Sequence, residues 1–319
     1  MKRRLMLAAA VMLCAGLIIS AAAAAAMKFD LSLLNTSTVS CPAGSAVPRR
    51  SSSDLTLLSR TVQEDFDSVS VTSDVCSVEL LPSDNGTAFV EYPAADGIGH
   101  SVTAENGVLN ITWQDNRSPA ARIGIYFGDE DIFRIRIHLP AAQLDALTVK
   151  TQSGDIGIGK GWSLGRVSLT SASGDMEVSG ISCSDAELES ASGDISLEAS
   201  ELSSHLRVRS TSGDIKLQSV VCENLEIDST SGDAQLRGVL ASGEMRIETS
   251  SGDISLERCD GAQLELTASS GEVSGSLLSG KIFSAASGSG DIELPASLPS
   301  GGVCRIETAS GDISVAVVP

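Results

Sequence analysis

The stretch Ser192-Gly-Asp-Ile-Ser-Leu-Glu-Ala-Ser-Glu-Leu-Ser-Ser-His-Leu-Arg-Val-Arg-Ser-Thr-Ser-Gly-Asp214 decides the fold. It begins and ends on the same Ser-Gly-Asp triplet. Between the triplets apolar and polar residues alternate, with Ile195 and Leu197 after the first and Leu206 and Val208 before the second. Alternation with period two marks β-strands. Across the triplet the parity of the apolar positions flips once, which a straight strand cannot do. The triplet is therefore a corner, and its Gly is expected to supply a backbone conformation that other residues resist.

The unit recurs along residues 141–319. Ser-Gly-acid returns with its Gly at 154, 174, 193, 213, 232, 252, 271, 290 and 311. The acids are Asp155, Asp175, Asp194, Asp214, Asp233, Asp253, Glu272, Asp291 and Asp312. Five residues before each Gly stand Val149, Leu169, Leu188, Val208, Ile227, Ile247, Leu266, Ala285 and Ile306. A period this stable is the signature of a repeat architecture. In an antiparallel meander equivalent residues would not be neighbours, whereas in a parallel β-solenoid each repeat is one coil and equivalents stack. Identity at core and corner alike favours the solenoid. The expected fold is all-β, a right-handed parallel β-solenoid of about nine coils of ~20 residues each. At ~4.8 Å per coil it would be about 43 Å long. Two strands per coil would face the core, with a third short side near Ile181, Val220 and Val239.

Composition agrees. Aromatics are 3% of the 319 residues while Gly supplies 30, which suits a thin core of small and branched side chains. After Trp162 the only aromatic is Phe283. The others gather upstream, where residues 61–140 are expected to form an N-terminal β cap. Val102 to Trp113 is a hairpin turning at Asn106-Gly107 in type I′ geometry. Phe133-Arg-Ile-Arg-Ile-His-Leu alternates and stops at Pro140.

The chain opens with Lys2, Arg3 and Arg4, and no charge follows from Leu5 to Met27. About 20 such residues span a bilayer core, and basic residues before the span place the rest of the chain outside the cytoplasm. Residues 1–27 are thus expected to be a single-pass anchor in the cell membrane. The alternative is a signal segment cleaved within Ala21–Ala26, giving a secreted protein. Residues 28–60, polar and without period, are expected to be a linker. Cys14 follows Met12 and Leu13, not the small residue lipidation wants.

The net charge is −19. That excludes nucleic acid as an expected partner, since phosphate binding needs clustered Lys and Arg. From Leu147 onward 25 Asp and Glu stand against 11 Lys and Arg. Neighbouring carboxylates in a stacked column would repel by about 0.9 kcal/mol per pair in water. Either backbone N–H groups at each corner offset this, or a divalent cation such as Ca²⁺ lodges between coils. The nine acids are accordingly the candidate metal ligands; no other cofactor is expected.

Seven cysteines are present. Cys183 and Cys222 occupy equivalent positions two repeats apart, about 9.6 Å in a stack, too far for a disulfide. Buried free thiols are expected, and no Cys/His cluster suggests zinc. Catalysis finds little support. His100, His138 and His205 occupy no repeated position, His138 alternates outward on its strand, and the Ser column has no accompanying base.

The stretches Glu64-Asp-Phe-Asp-Ser-Val-Ser-Val, Leu81-Pro-Ser-Asp, Val273-Ser-Gly-Ser-Leu-Leu-Ser-Gly-Lys-Ile-Phe and Gly302-Val-Cys-Arg-Ile-Glu-Thr-Ala-Ser-Gly-Asp-Ile resemble the bacterial "putative adhesin" family of β-strand repeat proteins. The resemblance covers roughly residues 61–317. It implies a β-helix-like fold on an anchored or exported protein, and it carries no catalytic residues. Some members are similar to envelope stress-response proteins. The expected function is a non-enzymatic binding or scaffold module at the outer face of the membrane, with a cell-envelope protein or glycan as partner. The alternatives are an envelope-stress regulator and a polysaccharide-active β-helix enzyme. The enzyme would need a cluster of carboxylates or bases off the repeat register, and the sequence has none. Val315-Ala-Val-Val-Pro319 is too short to cap the stack, so an open C-terminal coil is expected, where a partner or a second copy adds a strand.

Overall fold

The computed structural model describes residues 55–116, 133–140 and 143–319, all within one compact unit, Arg50–Pro319. The Leu5–Met27 run and residues 28–54 of the linker lie outside the described residues. Among the described residues no helix is long and apolar enough to cross a membrane. From Thr56 the expected linker is already a strand, Thr56–Val62.

The described residues build an all-β solenoid of about nine turns. One coil shows the pattern. The long strand Ile181–Ser190 runs into the corner at Ser192-Gly-Asp, the short strand Ile195–Glu198 leaves it, Glu201–Leu202 makes a third side, and His205–Ser210 begins the next coil. The long strands pair in parallel with equivalent residues opposite, as in Leu188↔Val208, Val208↔Ile227 and Ile227↔Ile247. The short strands do the same through Ile195↔Ile215 and Ile215↔Ala234. Alternate residues of both sheets point inward, and Leu188, Val208, Ile227, Ile195 and Ile215 are buried. Each such side chain contributes roughly 1.5–3 kcal/mol by leaving water. The third side carries Ile181, Val220 and Val239 into the same core.

The corner Gly has a different physical basis from the one expected. None of the nine triplet glycines has a positive φ. The left-handed residues lie at the next corner, six or seven positions on, at Gly161, Gly180, Ala199, Ser219, Gly238 and Arg258. Gly is required at the triplet by proximity. A Cβ on Gly213 would sit 2.0 Å from the Gly193 carbonyl oxygen, and one on Gly232 2.0 Å from that of Gly213. The column starts at the Cys76 carbonyl beneath Gly154, so Ser68–Ser73 and Ser77–Pro82 are the two strands of one coil of the same stack.

At both ends the stacking order departs from chain order. The second half of Ile254–Ala268 pairs with Val303–Thr308, and only that strand pairs with Ile282–Ser287. The last coil in sequence is therefore inserted, and the coil of Ile282–Ser287 and Ile292–Glu293 is outermost. This corrects the expectation that residues 315–319 leave the open coil. The inserted coil brings Cys304, Ile306, Ile313 and Val315 into the core, all buried. The outer coil has Ala285 in the same column and Pro295, which lacks an N–H, beside its edge. The better apolar column goes inside and the weaker one to the end.

The other end mirrors this. Ser68–Ser73 lies between Val108–Asp115 and Gln143–Thr151, and Ser77–Pro82 between Arg134–Leu139 and Ile156–Ile158. The strands between them in sequence pass outside and close the end with antiparallel pairs. Ile98–Glu105 covers Val108–Asp115, turning at Asn106 (φ 54°) and Gly107 (φ 80°) as type I′ geometry requires. Ala88–Ala94 covers Arg134–Leu139, and Thr56–Val62 covers Ala88–Ala94.

Candidate functional site

Three places concentrate polar chemistry: the corner column, the outer face of the long-strand sheet, and the N-terminal cap.

At the corner, the backbone approach that Gly permits brings each Asp within reach of the next coil. The Asp175 N–H donates to Asp155 Oδ1 at 2.9 Å, Asp194 to Asp175 at 2.8 Å, Asp214 to Asp194 at 2.8 Å and Asp233 to Asp214 at 3.1 Å. Asp253, Glu272 and Asp291 donate likewise to Asp233, Asp253 and Asp312, in stacking order. The acceptors thus serve the neighbouring coil's N–H rather than their own corner. Lys216 Nζ adds a positive charge 3.9 and 4.0 Å from the Oδ2 atoms of Asp194 and Asp214. Among the described residues no group of three or more His, Cys, Asp or Glu is placed to hold a metal ion.

Beside the acids runs a buried hydroxyl column that periodicity alone did not single out. Three residues before Gly stand Thr151, Ser171, Ser190, Ser210, Ser229, Thr249 and, in stacking order, Ala268, Thr308 and Ser287. Ser210 Oγ accepts from the Gly213 N–H at 2.9 Å and lies 2.7 Å from its carbonyl oxygen. Ser190 and Ser171 accept from Gly193 and Gly174 in the same way. These hydroxyls occupy core-facing positions, and a polar residue recurring where alternation demands an apolar one was the signal that could have found them.

The outer face of the long-strand sheet carries charge in register. Six residues before Gly, the stacked residues are Glu187, Arg207, Glu226, Arg246, Glu265 and Arg305, alternating in sign. Arg305 continues the alternation only because its coil is inserted ahead of Ser284. Arg207 Nη2 lies 2.6 Å from Glu226, and Arg209 in the next column bridges Glu189 at 2.9 Å and Asp228 at 3.4 Å. Opposite charges directly across strands stabilise a sheet by roughly 0.2–1 kcal/mol each. A shallow depression of about 600 Å³ lies over this face, lined by Arg166, Asp185, His205, Arg207, Glu226 and Arg246 among others. Ser204 Oγ is 2.6 Å from His205 Nδ1, and Asp185 Oδ1 is 3.5 Å from the same nitrogen. A nucleophile relay needs Ser and Asp on opposite ring nitrogens, so this trio is a surface cluster.

The cap holds the aromatic chemistry. His100 is buried, tilted against Tyr92 at 5.3 Å and edge-on to Trp113 at 5.1 Å. Burial pushes its pKa down to about 4; the nearby Pro93 carbonyl opposes this, but among the described residues neither ring nitrogen finds a well-formed hydrogen bond. His138 points out of the core as expected, yet it is covered: its ring stacks on Phe89 at 4.2 Å, and Nε2 is 3.4 Å from Glu91. The cysteines at 76, 183, 222, 259 and 304 are free and buried. Burial pushes the Cys76, Cys183 and Cys304 thiols up to about 12 and Cys222 to about 11, which leaves them unreactive.

The family described as Toastrack DUF4097 matches residues 66–316. The chain belongs to this Toastrack family. Its match spans both the cap and the solenoid, in agreement with the stack that joins them. Among solved structures, a protein described as a putative lipid binding protein from Parabacteroides distasonis is similar at 17% identity with a TM-score of 0.56, covering 82% of this chain and 96% of that one. A putative adhesin from Parabacteroides merdae is similar at 11% identity and a TM-score of 0.53, covering 83% and 98%. Another putative adhesin from P. distasonis has 12% identity and a TM-score of 0.50, covering 82% and 96%. At these identities the likeness is one of fold. No curated protein matches the chain.

Proposed function

We propose that this Toastrack protein is a non-enzymatic binding module, displayed at the outer face of the cell membrane through Leu5–Met27, that engages a cell-envelope glycan or protein along the outer face of its long-strand sheet. One observation carries the reading. Charged side chains stand there in fixed columns around an open depression of about 600 Å³, already ordered by ion pairs between coils. A pre-ordered polar face loses little side-chain entropy on meeting an extended ligand. The description of similar folds as adhesins and as a lipid-binding protein agrees with a binding role. A lipid would have to lie on the outside, because the interior is one continuous cluster of buried side chains. Enzymatic chemistry gains no support from the Ser204, His205 and Asp185 cluster, whose geometry offers no relay.

The test is co-sedimentation of the full chain with purified cell-wall sacculi and, separately, with phospholipid vesicles. Arg207→Gln/Arg246→Gln is expected to lower retention on sacculi at least about fivefold, the loss of two charged contacts worth roughly 1 kcal/mol together. Retention equal in variant and parent, or none by the parent, overturns the proposal. Vesicle retention that survives the change belongs to Leu5–Met27.

A further inference from the structure

The outermost coil at the C-terminal end has an unguarded edge. Ile282 N–H donates inward to Gly302 and Gly288 N–H to Thr308, so the even-numbered groups of Ile282–Ser287 face the neighbouring strand and the odd-numbered groups face out. Two outward groups are covered: the Phe283 N–H donates to Ser297 Oγ at 2.9 Å, and the Lys281 carbonyl accepts from Leu298 at 2.9 Å. The Phe283 carbonyl, both groups of Ala285 and the Ser287 N–H have no partner among the described residues. The strand contains no charge and no proline. The companion edge of the short-strand sheet is blunted. It is only Ile292–Glu293, it carries a charge, and Pro295 follows.

Apolar surface collects at the same place. Ile282, Ile292, Leu298, Val303 and Val317 are half of the large exposed hydrophobics among the described residues, and Phe283, Ala285 and Leu294 are only partly covered. Ile282 and Val303 stand opposite each other, in the column that Arg166, Asp185 and His205 occupy farther along. Charge selects the occupant. On a chain of net charge −19, two copies meeting side by side would set acidic columns against each other. From Ile282 to Gly302 the outer coil carries only Asp291 and Glu293, so a second copy approaches this end with the least repulsion.

We infer that two copies of the chain associate end to end through Ile282–Ser287, the two strands pairing antiparallel across a two-fold axis at Ala285. In that register Ala285 of each copy exchanges both its backbone bonds with Ala285 of the other, and each Ser287 N–H donates to the opposite Phe283 carbonyl. The four bonds use the free groups, and the opposite Ser287 carbonyl comes to the Phe283 N–H in place of Ser297 Oγ. Ser284 then faces Ala286 of the second copy, on the exposed side of the joined sheet. The contact is isologous, so it closes at two copies.

That pairing fixes a test. The full chain, held in density-matched detergent so that Leu5–Met27 stays in solution, is studied by sedimentation velocity over a range of concentrations. A concentration-dependent dimer is expected. Ser284→Lys/Ala286→Lys sets Lys against Lys twice across the axis and is expected to weaken the dimer at least about tenfold, whereas Ser284→Lys/Ala286→Glu sets Lys against Glu and restores it. Both substituted positions are exposed, and circular dichroism checks that each variant folds. A monomer at every concentration, open-ended polymers, or a dimer indifferent to the Lys/Lys change overturns the inference.

Discussion

Replacing Gly213 by Ala tests the reason for the triplet most directly. The new Cβ would lie 2.0 Å from the Gly193 carbonyl oxygen and 2.5 Å from its carbon. Both are backbone atoms of a fully paired coil, so no rotamer change relieves the clash; the corner must open by more than 1 Å to reach ordinary contact, about 3.4 Å. Opening it stretches the Asp214 N–H bond to Asp194, now 2.8 Å, and the two contacts of Ser210 with Gly213, at 2.7 and 2.9 Å. Three hydrogen bonds at roughly 1 kcal/mol each, with some overpacking strain, give an expected loss of about 3–4 kcal/mol. Gly159 is the control. Nothing lies within 4 Å of the point its Cβ would occupy and its φ is not positive, so Gly159→Ala is expected to be neutral or slightly stabilising. Urea unfolding of the two variants and the parent, followed by far-UV circular dichroism, supplies the comparison. A Gly213→Ala loss below about 1 kcal/mol would refute the close-approach argument, because no conformational preference of Gly remains at that position to fall back on.

Asp214→Asn keeps an oxygen for the Asp233 N–H and removes one charge from the column, so its unfolding midpoint is expected to match or exceed the parent's, while Asp214→Ala loses about 1 kcal/mol; equal losses would contradict a role as acceptor. With backbone N–H groups as partners of the acids, midpoints in calcium and in chelator are expected to coincide, and a calcium-dependent rise would reassign the column to cation binding. Arg207→Glu places three like charges in succession with Glu187 and Glu226 and is expected to cost about 1 kcal/mol at low salt, with most of the loss gone in molar salt, as measured by thermal unfolding in both. His100, with its folded pKa depressed to about 4 from the ordinary 6.5, binds more protons when unfolded, so its contribution is present above pH 6.5 and is lost as pH falls toward 4. The cap should lose on the order of 3 kcal/mol over that window, and His100→Phe should flatten the pH dependence of unfolding followed by tryptophan fluorescence.

Much of the solenoid was legible because its constraints are local and repeat. Alternation on either side of the triplet sets which residues face inward, and Leu188, Val208, Ile227 and Ile247 obey it. The turn at Asn106-Gly107 was legible because two consecutive positive-φ positions admit few other pairs. Stacking order was not legible in the spacing, since the steps from Gly271 to Gly290 and from Gly290 to Gly311, 19 and 21 residues, keep the period whichever coil sits next to Gly271. The information was present in charge: Glu265 followed by Ser284 breaks the alternation of Glu187, Arg207, Glu226 and Arg246, and Glu265 followed by Arg305 continues it. The hydroxyl column escaped because a Ser beside a Ser-Gly-Asp triplet looks like turn chemistry. Its core-facing parity identifies it as the group that closes the corner from within. The outer-face columns escaped because alternation was used to find the core, and the polar half of the pattern was set aside as solvated.

The insertion at the C-terminal end happens at the one coil whose corner is incomplete. The coil closing at Gly271 has Ala268 where others have Ser or Thr, so no hydroxyl of its own reaches the Gly271 carbonyl. It also has Glu272 in place of Asp. The Glu272 N–H still donates to Asp253 Oδ1, but among the described residues no bond joins the Asp312 N–H to Glu272. The coil stacked on it must therefore supply the missing hydroxyl. Thr308 does so: its Oγ1 reaches across and donates to the Gly271 carbonyl at 3.1 Å. Ser287 then repeats the gesture one layer out, on the Gly311 carbonyl at 2.9 Å. From Thr308 outward, corner hydroxyls point back to the previous coil, where those of the inner coils close their own Gly. Corners closed by the next coil out leave the last one, at Gly290, with no coil beyond it to lend a hydroxyl, at the same end where the odd-numbered backbone groups of Ile282–Ser287 face out.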